Sequence, residues 1–115
     1  MGSKNVIAID DHNFETEVLG VKEPFLLDFS AVWCAPCKSL LPVVEAVADE
    51  TVGRARVGKV DIDDSPAVAK RLGIRSAPTL VVFKNGQEAG RHVGTCGRDK
   101  LLALLGVARG ELRTS

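Results

Sequence analysis

The sequence predicts an α/β domain with a central mixed five-stranded sheet flanked by four helices, in the order βαβαβαββα. Short apolar runs alternate with segments of helical periodicity over the first two thirds of the chain, which is typical of strand–helix–strand units. The last third instead has two apolar runs around Asn85-Gly86, a strong signal for an antiparallel hairpin. With 115 residues, 45% of them apolar, we expect a single domain spanning residues 1–115.

Apolar runs, and the capping and helix-ending residues between them, predict the first strand, the first helix and the second strand. Residues 6–9 form a short apolar strand. Asp10 or Asp11 can then cap a helix, which ends at Gly20. Residues 25–29 read as a strand with apolar side chains on both faces, as expected at the centre of a covered sheet.

A long helix and a second strand–helix pair occupy the middle of the chain. The apolar stripe of the long helix consists of Leu40, Leu41, Val44, Val47 and Ala48. Pro42 lies inside this helix and should kink it. Residues 55–62 are predicted to be a strand, and Ser65 caps a short helix that has Pro66 in its first turn and stops at Gly73.

The hairpin and a last helix complete the predicted order. Residues 79–83 and 88–93 are the hairpin strands, and residues 97–107 form a leucine-rich amphipathic helix. We expect residues 1–4 and 109–115 to be flexible termini.

Charge and composition limit the function classes. Fifteen basic and fifteen acidic residues cancel, so we expect no binding to nucleic acid or to an anionic membrane. No apolar run reaches membrane-spanning length, and the first residues lack the pattern of a secretory signal, which predicts a cytoplasmic protein. Thiols stay reduced there, so the three cysteines indicate one reactive pair and one extra thiol.

The reactive pair is the segment Trp33-Cys34-Ala35-Pro36-Cys37, at the junction of a buried strand and a helix. Residues three apart in a first helical turn share one side, so the two sulfurs can reach bonding distance. The N–H groups and dipole at this end of a helix favour a thiolate. We therefore expect an exposed Cys34 to attack a substrate disulfide and a more deeply held Cys37 to resolve the mixed disulfide.

The chain resembles the thioredoxin family from about residue 6 to residue 107. A bare Cys-x-x-Cys pair would be weak support, but the matching features occur as an ordered set. They are the segment 33–38, Asp28, Pro42, and the segments 59–63, 73–79, 84–86 and 93–94. The resemblance implies the thioredoxin fold.

It also implies roles for individual residues. Cys34 is the nucleophile, Cys37 is the resolving thiol, and the two form a redox-active disulfide. Asp28 is the buried carboxylate that moves a proton to or from Cys37 through water, with Lys59 as its charged neighbour. A carboxyl group on a doubly covered strand should indeed have a raised pKa, which suits proton transfer near neutral pH.

The resemblance further implies a substrate-binding surface around Cys34. The Ala77-Pro78 peptide bond should be cis and lie against the cysteines, and a target peptide could pair with residue 77 as an added strand. The substrate-binding residues implied in this way are Trp33, Ala35, Pro36, Ile62, Ala77, Pro78, Val93 and Gly94.

The implied activity is that of a protein-disulfide oxidoreductase, an enzyme that reduces disulfides in target proteins and is recycled by a thioredoxin reductase. Its dithiol carries the electrons, so no cofactor is expected, and we expect a monomer. An oxidase- or isomerase-like variant and a non-catalytic binding module are the alternatives.

Four positions depart from the family pattern. Ala35 replaces the usual glycine between the cysteines and can change the redox potential. Ser30 stands where tryptophan is common, which opens space or adds a hydroxyl near the site. Val32 replaces a usual acidic residue and makes the rim more apolar. Ala77 is smaller than the usual isoleucine and gives substrates a shallower contact.

The remaining cysteine leaves two questions open. Cys34, Cys37, His92 and Cys96 formally match a zinc pattern, but the proline between the first two cysteines and their strand-to-helix setting favour redox chemistry. Cys96 itself is either a buried small hydrophobic residue, the interpretation we favour, or a thiol that is glutathionylated or bridges to another molecule.

Overall fold

The computed structural model describes residues 3–107, and its centre is a five-stranded sheet with the strand order β1-β3-β2-β4-β5. The strands are β1 (Val6–Ile9), β2 (Phe25–Ser30), β3 (Arg56–Asp61), β4 (Thr79–Lys84) and β5 (Gln87–Val93). The β1–β3 and β2–β3 pairs are parallel, whereas the β2–β4 and β4–β5 pairs are antiparallel. The predicted mixed sheet is confirmed, although β3 is one residue shorter at each end than the sequence indicated.

The middle strand β2 is buried along its whole length, as its two apolar faces predicted. It lies between β3 and β4, and Asp28 is in register with Lys59 on one side and with Leu80 on the other. Because in-register neighbours point to the same face of a sheet, the carboxyl group of Asp28 and the ammonium group of Lys59 share one face.

The helices cover both faces of the sheet. They are a π-helical segment (Glu15–Leu19), α1 (Ala35–Glu50), α2 (Pro66–Arg71) and α3 (Arg98–Leu105). The first is shorter than the predicted helix and is π-helical. Gly20 follows it because a Cβ atom there would lie 2.7 Å from the carbonyl oxygen of Thr16. α1 continues through Pro42, and the kink expected there stays a prediction.

Two apolar clusters join these layers. Under α1 and α3, the first cluster includes Leu26, Leu40, Val44, Val47, Val57, Leu80, Val82, Leu101, Leu102 and Leu105. Under the π-helical segment and α2, the second includes Phe14, Val18, Phe25, Leu27, Phe29, Val60, Val68, Val81 and Phe83. The fold is thus a sheet between two helical layers, and the α1 layer contains the cysteine pair.

Capping of the two short helical segments differs from the prediction. Asp10 accepts the backbone N–H groups of His12 and Asn13 in the turn before the first segment, and the N-cap residue of that segment is Phe14, which has no side-chain cap, so the predicted cap by Asp10 is wrong. Asp11 instead reaches α2, where its carboxylate accepts the N–H groups of Ala67 and Val68. Ser65 makes no capping bond, so the prediction for that residue is wrong. The tertiary contact with Asp11 caps the helix in its place.

The prediction of flexible termini falls mostly outside the described residues. Within them, Ser3 donates from its hydroxyl to Asp49 at 2.5 Å and from its backbone N–H to Glu45 at 3.2 Å. Both partners belong to α1. Among residues 3–107, no helix is both long enough and apolar enough to cross a membrane.

Candidate active site

The predicted cysteine pair lies between the end of β2 and the first turn of α1. A disulfide joins Cys34 and Cys37, whose Cα atoms are 5.3 Å apart. Cys34 is the N-cap residue of α1, and its Sγ accepts the backbone N–H of Cys37 at 3.2 Å. Ala35 and Pro36 lie exposed between them, and the proline replaces an N–H that has no partner in a first helical turn. The sulfur of Cys34 is therefore at the positive end of the helix dipole.

Both cysteines are buried, which corrects the expectation of an exposed Cys34. Cys34 is 3% exposed and Cys37 2%. Their cluster also contains Ala31, with Ile62 and Ala77 packed against it. Cys34 is covered because residues that are distant in sequence pack around the disulfide, and a local motif carries no information about them.

The Ala77-Pro78 peptide bond is cis, as predicted. Sγ of Cys34 lies 3.5 Å from the carbonyl oxygen of Ala77, so the loop before β4 touches the disulfide. Val93 pairs with Thr79, the residue after the proline, and the Gly94 N–H donates to the Pro78 carbonyl oxygen. The end of β5 therefore lies beside this loop.

Exposed apolar side chains accompany the loop. Trp33 is 65% exposed and Val93 61%, and Val32 is also exposed. The indole N–H of Trp33 donates to Oδ2 of Asp63 at 2.8 Å, which fixes one edge of the ring. Sequence reasoning missed Asp63, and no local signal could have found it, since the contact joins residues 30 positions apart.

Asp28 and Lys59 form the charged part of the site. Asp28 is 1% exposed, and neither carboxyl oxygen has a hydrogen-bond partner within residues 3–107. Burial raises the pKa of Asp28 to about 6, and the positive charge of Lys59 opposes this effect. The expected raised pKa is therefore present, and it makes the group a weak base near neutral pH.

Cys96 stays outside this arrangement. It is half-buried and packs against the apolar cluster under α1 and α3. Burial raises the pKa of its thiol, which disfavours the reactive thiolate. Its position therefore favours the interpretation as a small core residue.

The four residues of the zinc alternative do not come together as one group. In the described part of the chain, no three Cys, His, Asp or Glu side chains are close enough to hold a metal ion. The ring of His92 instead lies with Nε2 3.2 Å from the carbonyl oxygen of Thr95.

Comparison with known proteins agrees with this geometry. The family model "Thioredoxin" matches residues 5–106. "Thioredoxin" of Acidithiobacillus ferridurans is 41% identical over 103 residues, which cover 90% of this chain and 95% of the relative. "Thioredoxin C-2" of Corynebacterium nephridii is 38% identical over 103 residues, with the same coverage of both chains.

"Thioredoxin" of Mycobacterium tuberculosis (strain ATCC 25618 / H37Rv) is 43% identical over 96 residues, 84% of this chain and 83% of the relative. The match to the family model spans every described helix and strand, and each of these relatives is matched over most of its own length. The chain belongs to the thioredoxin family of protein thiol–disulfide oxidoreductases.

Proposed function

We propose that this oxidoreductase reduces disulfides in target proteins, with Cys34 as the nucleophile and Cys37 as the resolving thiol. In the reduced protein, the Cys34 thiolate attacks one sulfur of the target disulfide, and the other target sulfur leaves as a thiolate. Cys37 then attacks the Cys34 sulfur, which releases the second target thiol and forms the Cys34–Cys37 disulfide. A thioredoxin reductase returns two electrons to the pair.

The observation that carries this proposal is the position of the Cys34 sulfur at the start of α1. A thiolate there gains from the helix dipole and from the Cys37 N–H, which donates at 3.2 Å. Cys37 lies one turn later on the same side and forms the disulfide with it. The same arrangement supports both the attack and the resolution.

Asp28 is the proposed proton acceptor for Cys37. Its pKa of about 6 is close to neutral pH. At neutral pH the group is therefore largely ionised and is still basic enough to accept a proton. Its neighbour Lys59 lines the same cavity as Cys37, and a water molecule in that cavity would carry the proton between Cys37 and the carboxyl group. Lys59 keeps the pKa of Asp28 lower than burial alone would set it.

The surface around Cys34 is the proposed docking site for target proteins. Trp33 and Val93 offer exposed apolar side chains, and Ile62 and Ala77 pack against the cysteines. A target segment would lie beside Ala77 as an added strand, which brings its disulfide to Cys34. Reduction of proteins requires a reducing compartment, which supports a cytoplasmic location.

An insulin-reduction assay with thioredoxin reductase and NADPH tests the assignment of the two cysteines. We expect Cys34→Ser to abolish turnover, because no thiolate remains to attack. Cys37→Ser should instead accumulate a mixed disulfide between Cys34 and insulin, visible by non-reducing electrophoresis, because nothing resolves it. Cys96→Ser is the matched control and should keep wild-type turnover. Turnover by Cys34→Ser at the wild-type rate would contradict the proposed roles.

A redox titration against glutathione separates the reductase from the oxidase-like alternative. Ala35 lies between the cysteines, where the intervening residues tune the stability of the thiolate. We expect a potential below that of the cytosolic glutathione pool. A potential well above that pool would contradict a reducing role, and Ala35→Gly would then show how much of the shift is due to the alanine.

A further inference from the structure

Asp28 and Ser30 of β2 point to the same face of the sheet, because side chains two residues apart in a strand share a face. This is the face of Leu26, which lies in the apolar cluster under α1 and α3. On the neighbouring strand β3, Lys59 is in register with Asp28 and Asp61 is in register with Ser30. Four polar side chains therefore form a compact patch on the face that α1 covers.

A cavity of about 360 Å³ lies between this patch and the start of α1. Ser30 and Lys59 line it from the sheet, and Cys37 lines it from the helix. Asp28 does not belong to its wall, and both oxygens of that carboxyl group are buried. The cavity has room for several water molecules, each of which occupies about 30 Å³ in the liquid. Such water needs a further group to pass a proton on to the carboxyl group.

The Ser30 hydroxyl is placed to be that group. Ser30 is 5% exposed, and its hydroxyl makes no hydrogen bond to residues 3–107. A buried hydroxyl without a protein partner is usually satisfied by water, which the adjoining cavity can supply. Neighbours on one face of a strand have Cα atoms about 7 Å apart, so a turn about one side-chain torsion brings the hydroxyl towards Asp28.

The other polar side chains of the cavity wall cannot replace this hydroxyl. A relay group must accept one proton and donate another. The ammonium groups of Lys38 and Lys59 only donate, and the carboxylate of Asp61 only accepts. A serine hydroxyl does both. Apart from Cys37, the reacting thiol itself, Ser30 is therefore the wall residue whose side chain suits a relay.

Building on the proposed roles of Asp28 and Cys37, we propose that the Ser30 hydroxyl passes the proton from cavity water to the Asp28 carboxylate while Cys37 resolves the mixed disulfide. The Cys37 thiol gives its proton to the water, the water gives a proton to the Ser30 oxygen, and the hydroxyl gives its original proton to the carboxylate. The Cys37 thiolate then bonds to the Cys34 sulfur, and the target leaves as a thiolate with the electron pair of the broken bond. Ser30 and the water end unchanged, and Asp28 holds the proton.

The groups that face the relay set the pH range in which it operates. β3 contributes Lys59 and Asp61, α1 contributes Lys38, and β4 places the apolar Leu80 beside the carboxyl group. Burial raises the pKa of Asp28 to about 6, so this group changes its charge within the range of an ordinary assay. The relay has an acceptor above that pH and loses it below.

The resolving step can be measured alone in a protein that carries Cys96→Ser. A pulse of methyl methanethiosulfonate at pH 4 converts Cys34 to a methyl disulfide while Asp28 is protonated. A jump in pH starts the attack by Cys37, acid stops it, and mass spectrometry follows the loss of the methylthio group. We expect Ser30→Ala to slow this step about tenfold at pH 7.5 and hardly at all at pH 5, where the carboxyl group accepts no proton in either protein.

Two variants control for effects on structure. Ser30→Thr keeps the hydroxyl and should stay within about twofold of the wild-type rate. Ser39→Ala removes an exposed hydroxyl from α1 and should leave the rate unchanged. A structural effect of Ser30→Ala would slow the step by the same factor at both pH values. Such an equal factor, or a wild-type rate for Ser30→Ala at pH 7.5, would overturn the relay.

The Asp28→Asn variant separates this inference from the proposed function. In an Asp28→Asn background, Ser30→Ala should slow resolution no further, because both changes interrupt one path. Resolution by Asp28→Asn at the wild-type rate would contradict the proposed proton acceptor itself. If Asp28→Asn slows the step and Ser30→Ala slows it by an equal factor in both backgrounds, the acceptor stands and the relay through Ser30 is wrong.

Discussion

At the scale of single residues, Asp28 shows how function opposes stability in this protein. Its carboxyl group is enclosed in the sheet, and neither oxygen has a hydrogen-bond partner among residues 3–107. Burial raises its pKa from 3.8 to about 6, so the fold favours the protonated form. A well-packed apolar residue would suit this position better for stability, but it could not move a proton.

Replacing Asp28 by asparagine should therefore stabilise the protein in a pH-dependent way. Since the folded pKa is the higher one, the folded wild-type protein binds more protons than the unfolded chain between pH 3.8 and about 6, and its unfolding free energy falls as pH rises through that window. The two pKa values differ by about two units, or about 3 kcal/mol. Asp28→Asn should exceed the wild type by about that amount at pH 7.5 and by little at pH 4, in urea unfolding of the oxidised proteins.

The exposed Asp64 offers the matched control for that measurement. Asp64→Asn should change stability by only a small amount, because the side chain is exposed to solvent. An Asp28→Asn effect that is the same at pH 4 and pH 7.5 would show that the folded carboxyl group does not titrate as described.

At the scale of elements, α2 begins with a cap that comes from another part of the chain. Ser65 and Pro66 have the local sequence of a helix start, yet the Ser65 hydroxyl is buried without a hydrogen bond to the described residues. The carboxylate of Asp11 satisfies the first N–H groups instead. This contact ties the loop after β1 to α2 on the face opposite α1.

Asp11→Ala should therefore lower the unfolding free energy by about 1 kcal/mol, the usual cost of losing an N-cap side chain. Ser65→Ala should cause no comparable loss, because it removes a hydroxyl that makes no capping bond. Urea unfolding at pH 7 measures both. A large loss in Ser65→Ala with none in Asp11→Ala would show that the local cap is the one used.

At the scale of the whole molecule, the sheet ends in two edges that are poorly suited to self-association. β1 has four residues, and β5 presents exposed charged side chains, including Arg91, which is paired with Glu88. Short and charged edge strands limit pairing between copies. The chain has no net charge to oppose association, so we expect the edge strands to limit it.

We accordingly expect sedimentation velocity to give a monomer of 12.2 kDa, the mass of the chain, over a wide concentration range. Cys96→Ser, measured under oxidising conditions, is the control for intermolecular disulfides. A mass that doubles with concentration in both proteins would contradict a monomer and would point to the exposed patch around Trp33 and Val93 as the contact.

The order of elements, the central position of β2 and the cysteine pair could all be predicted from the amino-acid sequence. These features depend on local periodicity, on turn residues such as Asn85-Gly86, and on a motif of five consecutive residues. Each is set by neighbours in the chain, so a local pattern is sufficient to predict it.

The surroundings of the cysteine pair, by contrast, depend on contacts that form only in the folded protein. The burial of Cys34, the bond from Trp33 to Asp63 and the cap from Asp11 all join segments that are distant in sequence. So does the cavity beside Cys37, whose walls come from two strands, the loop after β2 and a helix. Such contacts depend on how packed elements meet, and packing density and register carry no local signature in the sequence.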